Sequence, residues 1–449
     1  MNKCNFYIFL LPFLCLLVVG CSKAPVTFVE VAPIIYKNCS NCHRPNQSGP
    51  FSLLSYSDCR NKAATIKYTV ETRFMPPWPA DYTYQHYIGE KYLTVAEINR
   101  ICNWVDDGAL MGDSDKIPAP PHFYAHSMLG KPDLVVKATP FFIKGDKHER
   151  FIMMKIPFEN VADTFIRAIE FVTNNKKLVH HVNGHLLNYL PHQTTNLYKP
   201  PFVIDRDTAY EIAESFHNLN LTANDGSEPA FIGSVTNYLP GMETLIFPDG
   251  IGTYKVNKHA ALLLRDIHYG ATTVDTWDSS YFNIFYADKP PKRPTIERQL
   301  GTLGISQITP PLVVRPNKID TFRTQATLPV DISLLTINPH MHLIGKSFWA
   351  YAVKPNGDTI PIIRIPKWDF RWQYFYTFKT MLKIPKGATI YVVGVYDNTA
   401  NNPNNPFYPP REIREPVGGN MKTTDEMFQL IMTYLPYQKG DENISLQNP

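Results

Sequence analysis

From about residue 130 to the C-terminus the helical period almost vanishes, and apolar runs of strand length follow one another between turn residues. They are Leu134 to Ala138, Phe151 to Ile156, Thr164 to Val172, Ala260 to Tyr269, Ser333 to Ile337, Ser347 to Val353 and Thr389 to Tyr396. Asn356-Gly357, between Tyr351-Ala352-Val353 and Ile360-Pro361-Ile362-Ile363, is a two-residue hairpin signal. Only Thr208 to Phe216 looks helical in this half. So long a stretch of antiparallel strand exceeds one ordinary sandwich. We therefore expect a mainly β protein with two antiparallel, jelly-roll-like β-sandwich domains, 130–293 and 294–449, meeting near Pro290 to Pro294. The 39 prolines and 13% aromatics agree with strands and turns.

Residues 31–112 read differently, as a small all-α domain. Val31 to Tyr36 and Ser57 to Arg73 have helical composition, and Thr94-Val95-Ala96-Glu97 is a capping box. It opens a helix with Val95, Ile98, Ile101, Cys102 and Val105 on its apolar face, stopped by Gly108. Within this region Cys39-Ser40-Asn41-Cys42-His43 has the spacing of a c-type haem attachment site. Cys39 and Cys42 would form thioethers to a covalent haem c, and His43 would supply the proximal nitrogen. A zinc ribbon would need a second CxxC, which the chain lacks. The whole region resembles a minimal class I cytochrome c. For the second axial ligand Met75, in Phe74-Met75-Pro76-Pro77-Trp78, is preferred over Met111 and His86, because prolines hold its loop stiff.

The first twenty residues read as a signal peptide, with Lys3 ahead of an apolar run from Phe6 to Gly20. Val18-Val19-Gly20-Cys21 looks like a bacterial lipobox. That resemblance implies cleavage before Cys21, acylation of its thiol, a tether over 21–30 and a membrane anchor. Ser22 after the cysteine favours an exported lipoprotein of the outer membrane. With Cys4 and Cys15 removed and three cysteines committed, Cys59 and Cys102 remain. In an oxidising compartment they most simply form a disulfide, two separate buried thiols being the alternative. Pro118-Ala119-Pro120-Pro121 marks residues 113–129 as a stiff spacer between two folded units, in which His122 and His126 carry no role. A net charge of +4 without a basic cluster gives no support to nucleic-acid binding.

The sandwich histidines are the informative chemistry. His340 and His342 in His340-Met341-His342 would share one face of a strand and could hold one metal. His180 and His181 are adjacent, so sharing a metal requires a strand end or a bulge. His268 closes a strand in Ile267-His268-Tyr269-Gly270. With Thr424-Asp425-Glu426-Met427, these motifs resemble, in order, the copper type II monooxygenases, the family of peptidylglycine alpha-hydroxylating and dopamine beta-monooxygenases. The resemblance spans roughly Gly130 to Pro436 and implies two copper ions. His180, His181 and His268 would hold the electron-transfer copper. His340, His342 and Met427, with Met421 and Met432 as rivals for the thioether, would hold the oxygen-activating one. Imidazole suits both copper states, and a thioether favours Cu(I).

The peptide-amidating members carry an arginine, an asparagine and a tyrosine where this chain has Asn338, Gln429 and Ile431, which disfavours a C-terminal glycine as substrate. The expected activity is thus hydroxylation of an unactivated or benzylic C–H of a small organic substrate with O2. An external electron donor would reduce the haem, which would feed the coppers. The alternative is a non-catalytic copper- and haem-binding electron-transfer or metal-handling lipoprotein.

Overall fold

The computed structural model describes residues 24–123, 127–205, 212–242, 244–416 and 422–447. The leader with Cys4, Cys15 and Cys21, together with His126, the start of the helix expected at Thr208, and Met421, lies outside the described residues. Mainly β, the chain folds into several antiparallel sheets with few helices.

Four helices, Phe28–Asn38, Tyr56–Asn61, Ala63–Glu71 and Val95–Asp106, surround a core of Phe28, Val31, Ile35, Leu53, Ile66, Ile101 and Trp104. Each of the two longest begins at a reciprocal capping box, Thr27 with Glu30 and Thr94 with Glu97. Gly108, at φ +92°, ends the last. Ile98, Ile101, Cys102 and Val105 of that helix's expected face meet the core, but Val95 lies 61% exposed, and Trp104 joins them fully buried, donating from Nε1 to Leu110 O. A bulky indole outweighs a valine in the first turn, where the chain enters from solvent.

The expected Cys59–Cys102 disulfide is not formed. Both residues are free buried thiols. Cys59 Sγ lies 3.7 Å from Leu53 O, while the Cys102 thiol faces Glu71, so the two side chains take different partners.

Past residue 130, two pairs of sheets pack face to face. In the first sandwich a five-stranded sheet runs in the order Val203–Asp205, Arg150–Glu159, His259–Tyr269, Val179–Asn188 and Ala230–Tyr238. Leu134–Lys137, Tyr281–Tyr286, Thr164–Val172 and Tyr254–Val256 form the facing sheet, and both contribute to one core. In the second sandwich Ile296–Gly301, Phe428–Pro436, Ile332–Met341 and Tyr376–Ile384 face a five-stranded sheet. The Asn356-Gly357 turn joins Gly345–Val353 to Thr359–Ile365 as expected, with Gly357 at φ +91°.

The helical region is docked, not held off on a spacer. Tyr87, 1% exposed, sits in the core of the second sandwich with Ala80, and Ile88 N donates to Thr377 O at 2.8 Å. Asp81 pairs with Arg364 at 2.7 Å. Trp78, Tyr87, Tyr374 and Tyr376 stack in one aromatic cluster across this junction, with centroids 5.0 to 6.4 Å apart.

Candidate functional site

In the first sandwich, His181 and His268 are register partners on neighbouring strands, and the register slips between Val179 and His181. His180 is therefore the residue at the irregularity, the bulge that two adjacent histidines require in order to turn toward one place. His268 is stacked on Phe151 with centroids 4.2 Å apart. The His180 and His181 rings lie 4.7 and 5.1 Å from it. The three are thus brought together, but their nitrogens are not equally placed. His181 Nε2 lies 2.9 Å from Asp266 Oδ2, whereas one ligand atom each from His180, His268 and Glu149 fall within 4.8 Å of one another. His268 Nε2 is buried with no aligned hydrogen bond, although Glu149 Oε2 is 3.3 Å away.

In the second sandwich, His340 is the last residue but one of the strand Ile332–Met341, opposite Gln429, and His342 lies just past the strand end, the rings 5.1 Å apart. His340 Nδ1 donates to Gln373 Oε1 and His342 Nδ1 to Asp425 O at 2.9 Å. That tautomer leaves Nε2 of each ring as the lone-pair nitrogen. His340 Nε2 is buried and has no partner among the described residues. Met427 is fully buried, with Gln429 Nε2 3.7 Å from its sulfur. Glu426, one residue earlier, ties this segment to the histidine strand, accepting from His342 N and Ile344 N at 2.8 Å each. The donor chemistry fits a metal in both places: each has paired imidazoles and a buried ring nitrogen without an aligned hydrogen bond among the described residues, His268 Nε2 beside the Glu149 carboxylate and His340 Nε2 with no partner.

The gap between the two groups is narrow. Phe370 stands in it, its ring 6.5 Å from that of His181 and 5.8 Å from that of His342. The same short segment carries Trp368, whose Nε1 donates to His342 O at 3.1 Å, and Gln373, which holds His340.

Cys39, Cys42, His43 and Met75 line one cavity of about 730 Å³. Its walls include Ile66, Val70, Trp372 and Tyr374, and also His180 of the first sandwich. His43 Nδ1 donates to Phe51 O at 3.2 Å, so its Nε2 is the lone-pair nitrogen. Burial pushes the Cys39 thiol up to about 12, with Cys42 adding to the shift. Of the rival axial ligands, His86 is an exposed partner of Glu90 at 3.1 Å and Met111 is 39% exposed. A large, mostly apolar cavity with these four groups on its wall is of a size and chemistry that suit a macrocycle. Gly241 closes it against the first sandwich at φ +79°, where a Cβ would stand 2.6 Å from Cys42 Sγ. Asn41 Nδ2 and Lys91 Nζ both donate to Gly241 O.

Burial drives the imidazoles of His180 and His342 down to about 4 and those of His185 and His340 down to about 3. A lowered histidine pKa means that the unfolded chain takes up protons, below its ordinary value near 6.5, that the folded chain refuses. The metal-free protein should therefore lose stability as pH falls from 7 to 5. Glu426 works the other way with a single proton. Urea midpoints measured in chelator at pH 7, 6 and 5 should fall in that order.

Nothing in the sequence alone marks Glu149, Asp266, Phe370 or Gln373 as functional. Glu426 leaves a trace there, as part of Thr424-Asp425-Glu426-Met427.

Residues 317–441 match the family model for the C-terminal domain of the copper type II ascorbate-dependent monooxygenases, a stretch that contains His340, His342 and Met427. No curated protein matches the chain. Among solved structures, the infectious bursal disease virus VP2 subviral particle is 8% identical, with 69% of this chain and 80% of that chain covered and a TM-score of 0.15. The Gx strain structure of that virus is 9% identical over 68% and 77%, also at 0.15. Scores this low carry no argument about fold or function.

Proposed function

We propose that the chain is a copper-dependent monooxygenase, exported and anchored to the outer membrane through Cys21, that hydroxylates a C–H bond of a small organic substrate with O2. The observation that carries the reading is the pair of buried ring nitrogens, His340 Nε2 with no hydrogen-bond partner among the described residues and His268 Nε2 with only the Glu149 carboxylate 3.3 Å away, in two histidine groups bridged by Phe370. The second group lies inside the copper monooxygenase match.

In this reading His340, His342 and Met427 hold one copper, and the group around His180, His181 and His268 holds the other. Bound there, copper would supply O2 reduction and oxygen insertion at the thioether side and a second electron from the other. The residues of the chain prepare the place. Gln373 and Asp425 fix the two imidazoles in one tautomer, so that no proton blocks the ligating nitrogens. Phe370 narrows the gap between the two groups. Asn338 Nδ2 donates to Tyr374 O and Gln429 Nε2 to Thr302 O, and Arg371 is paired with Asp369 at 2.6 Å. These polar groups are already engaged, which favours a substrate without a terminal carboxylate.

Cys39, Cys42, His43 and Met75 would hold haem c, which supplies an electron received from an external donor. His180 lies on the wall of that same cavity, so the donor side reaches the first metal group without crossing the sandwich.

Replacing Met427 with isoleucine should leave copper on the histidines while product formation, followed as O2 uptake with a hydroxylated product, falls by roughly 100-fold, about 2.7 kcal/mol in barrier. Unchanged turnover would remove Met427 from the oxygen-activating set. Wild-type protein that binds copper and haem, yet couples O2 uptake to no product, would favour the electron-transfer lipoprotein instead.

A further inference from the structure

The first sandwich does not present its three histidines as equals. His268 is fixed by the Phe151 ring stacked on it at 4.2 Å, and its buried Nε2 makes no aligned hydrogen bond, with Glu149 Oε2 3.3 Å away. His180 turns to the same point through the slip in strand register. The third group that converges there is the Glu149 carboxylate, with its oxygen and the two imidazole nitrogens all within 4.8 Å of one another. Neither ring nitrogen of His181 joins that set. Its Nε2 is taken by Asp266 at 2.9 Å, and its ring faces Phe370 of the second sandwich.

Glu149 is not a wandering surface carboxylate. It directly precedes the strand Arg150–Glu159, where Arg150 pairs with Tyr269 and Phe151 with His268. The turn before it is pinned by Arg150 to Asp146 at 2.6 Å and by Gly145 N to Asp275 Oδ1 at 2.8 Å. The backbone that carries Glu149 is thus held in register with the backbone that carries His268.

We infer that Glu149 is a ligand of the metal held by the first sandwich, completing a His180–His268–Glu149 set from which Asp266 holds His181 back. This rests on the proposed function for the presence of a metal there, and departs from it in the identity of the third donor. The change matters chemically. A carboxylate is a hard, anionic donor that stabilises the divalent state of copper more than a third imidazole does, and so lowers the reduction potential of that centre. It leaves His181, anchored by Asp266, as the side chain facing the second metal group.

The test uses the full chain carrying His340→Ala and His342→Ala, so that Cu(II) signals come from the first sandwich alone. To this background Glu149→Gln or His181→Ala is added. Glu149→Gln should weaken Cu(II) binding by about tenfold or more, shift the Cu(II) electron paramagnetic resonance hyperfine pattern, and raise the midpoint potential. His181→Ala should leave affinity and spectrum in place. Glu149 is exposed, so its replacement does not threaten folding. A Glu149→Gln protein with unaltered affinity and spectrum, or a His181→Ala protein that loses its copper, overturns the inference and leaves a three-histidine site standing. A background protein that takes up no copper at all overturns this inference together with the first metal group of the proposed function.

Discussion

Replacing Glu426 with alanine is expected to cost about 3 kcal/mol or more and to loosen the second metal group with it. Glu426 is 1% exposed, and its two oxygens accept from His342 N and Ile344 N. Alanine would leave both donors buried and unmet, at about 1–3 kcal/mol each. It would also free Met427 from the strand that carries the histidines. Burial raises the Glu426 carboxyl to about 8, against the pull of the backbone N–H groups of Ile344, His342 and Met427. An acid raised in the folded state binds a proton on folding between its ordinary 4.5 and about 8. The stability it contributes is present below 4.5 and declines as pH rises through that window. The deficit of Glu426→Ala should accordingly be largest near pH 5 and smaller by pH 8. Urea unfolding of metal-free protein at the two pH values measures this, and a deficit that grows with pH would contradict it.

The second large effect is expected at Tyr87, which is not itself a candidate ligand. Tyr87→Ala removes a ring packed against Tyr376 at 5.0 Å and Phe378 at 5.4 Å, and with it a hydroxyl donor to Ile362 O. Truncation of so deeply buried an aromatic costs about 3–5 kcal/mol. The loss falls on the junction, since the helical region has its own separate core. Far-UV circular dichroism should stay near wild type while small-angle scattering reports a larger radius and proteases gain access to 113–123. A variant that unfolds as one unit, with no expanded intermediate, would show that the helical region depends on the second sandwich for its fold as well as its place.

The difference between what could and could not be read in advance has a physical basis. The Thr94–Glu97 capping box, the Asn356-Gly357 turn and the longer strands are local: neighbours a few residues apart determine them, and all appear where expected. The register slip at His180 was legible as a requirement, because two adjacent side chains cannot otherwise face one point. The Cys59 and Cys102 thiols could not be resolved that way, since which partner each takes depends on how three helices pack. Nor could the docking of residues 80–91, although the density of aromatics from Trp78 to Tyr92 was a signal that this stretch covers something large. Glu149, Asp266 and Gln373 are single polar side chains without periodicity. Only the strands brought beside them make them candidates.

Residues 368–374 touch three parts of the molecule. Trp368 and Gln373 grip the two histidines of one sandwich, Phe370 lies against a histidine of the other, and Arg371, Trp372 and Tyr374 wall the cavity beside Cys39 and Cys42. Seven consecutive residues cannot shift independently. A guest that pushes Phe370 aside must therefore tug on all three places at once, and loading of the cleft would be sensed at the cysteine-bearing end without any chain of intermediaries.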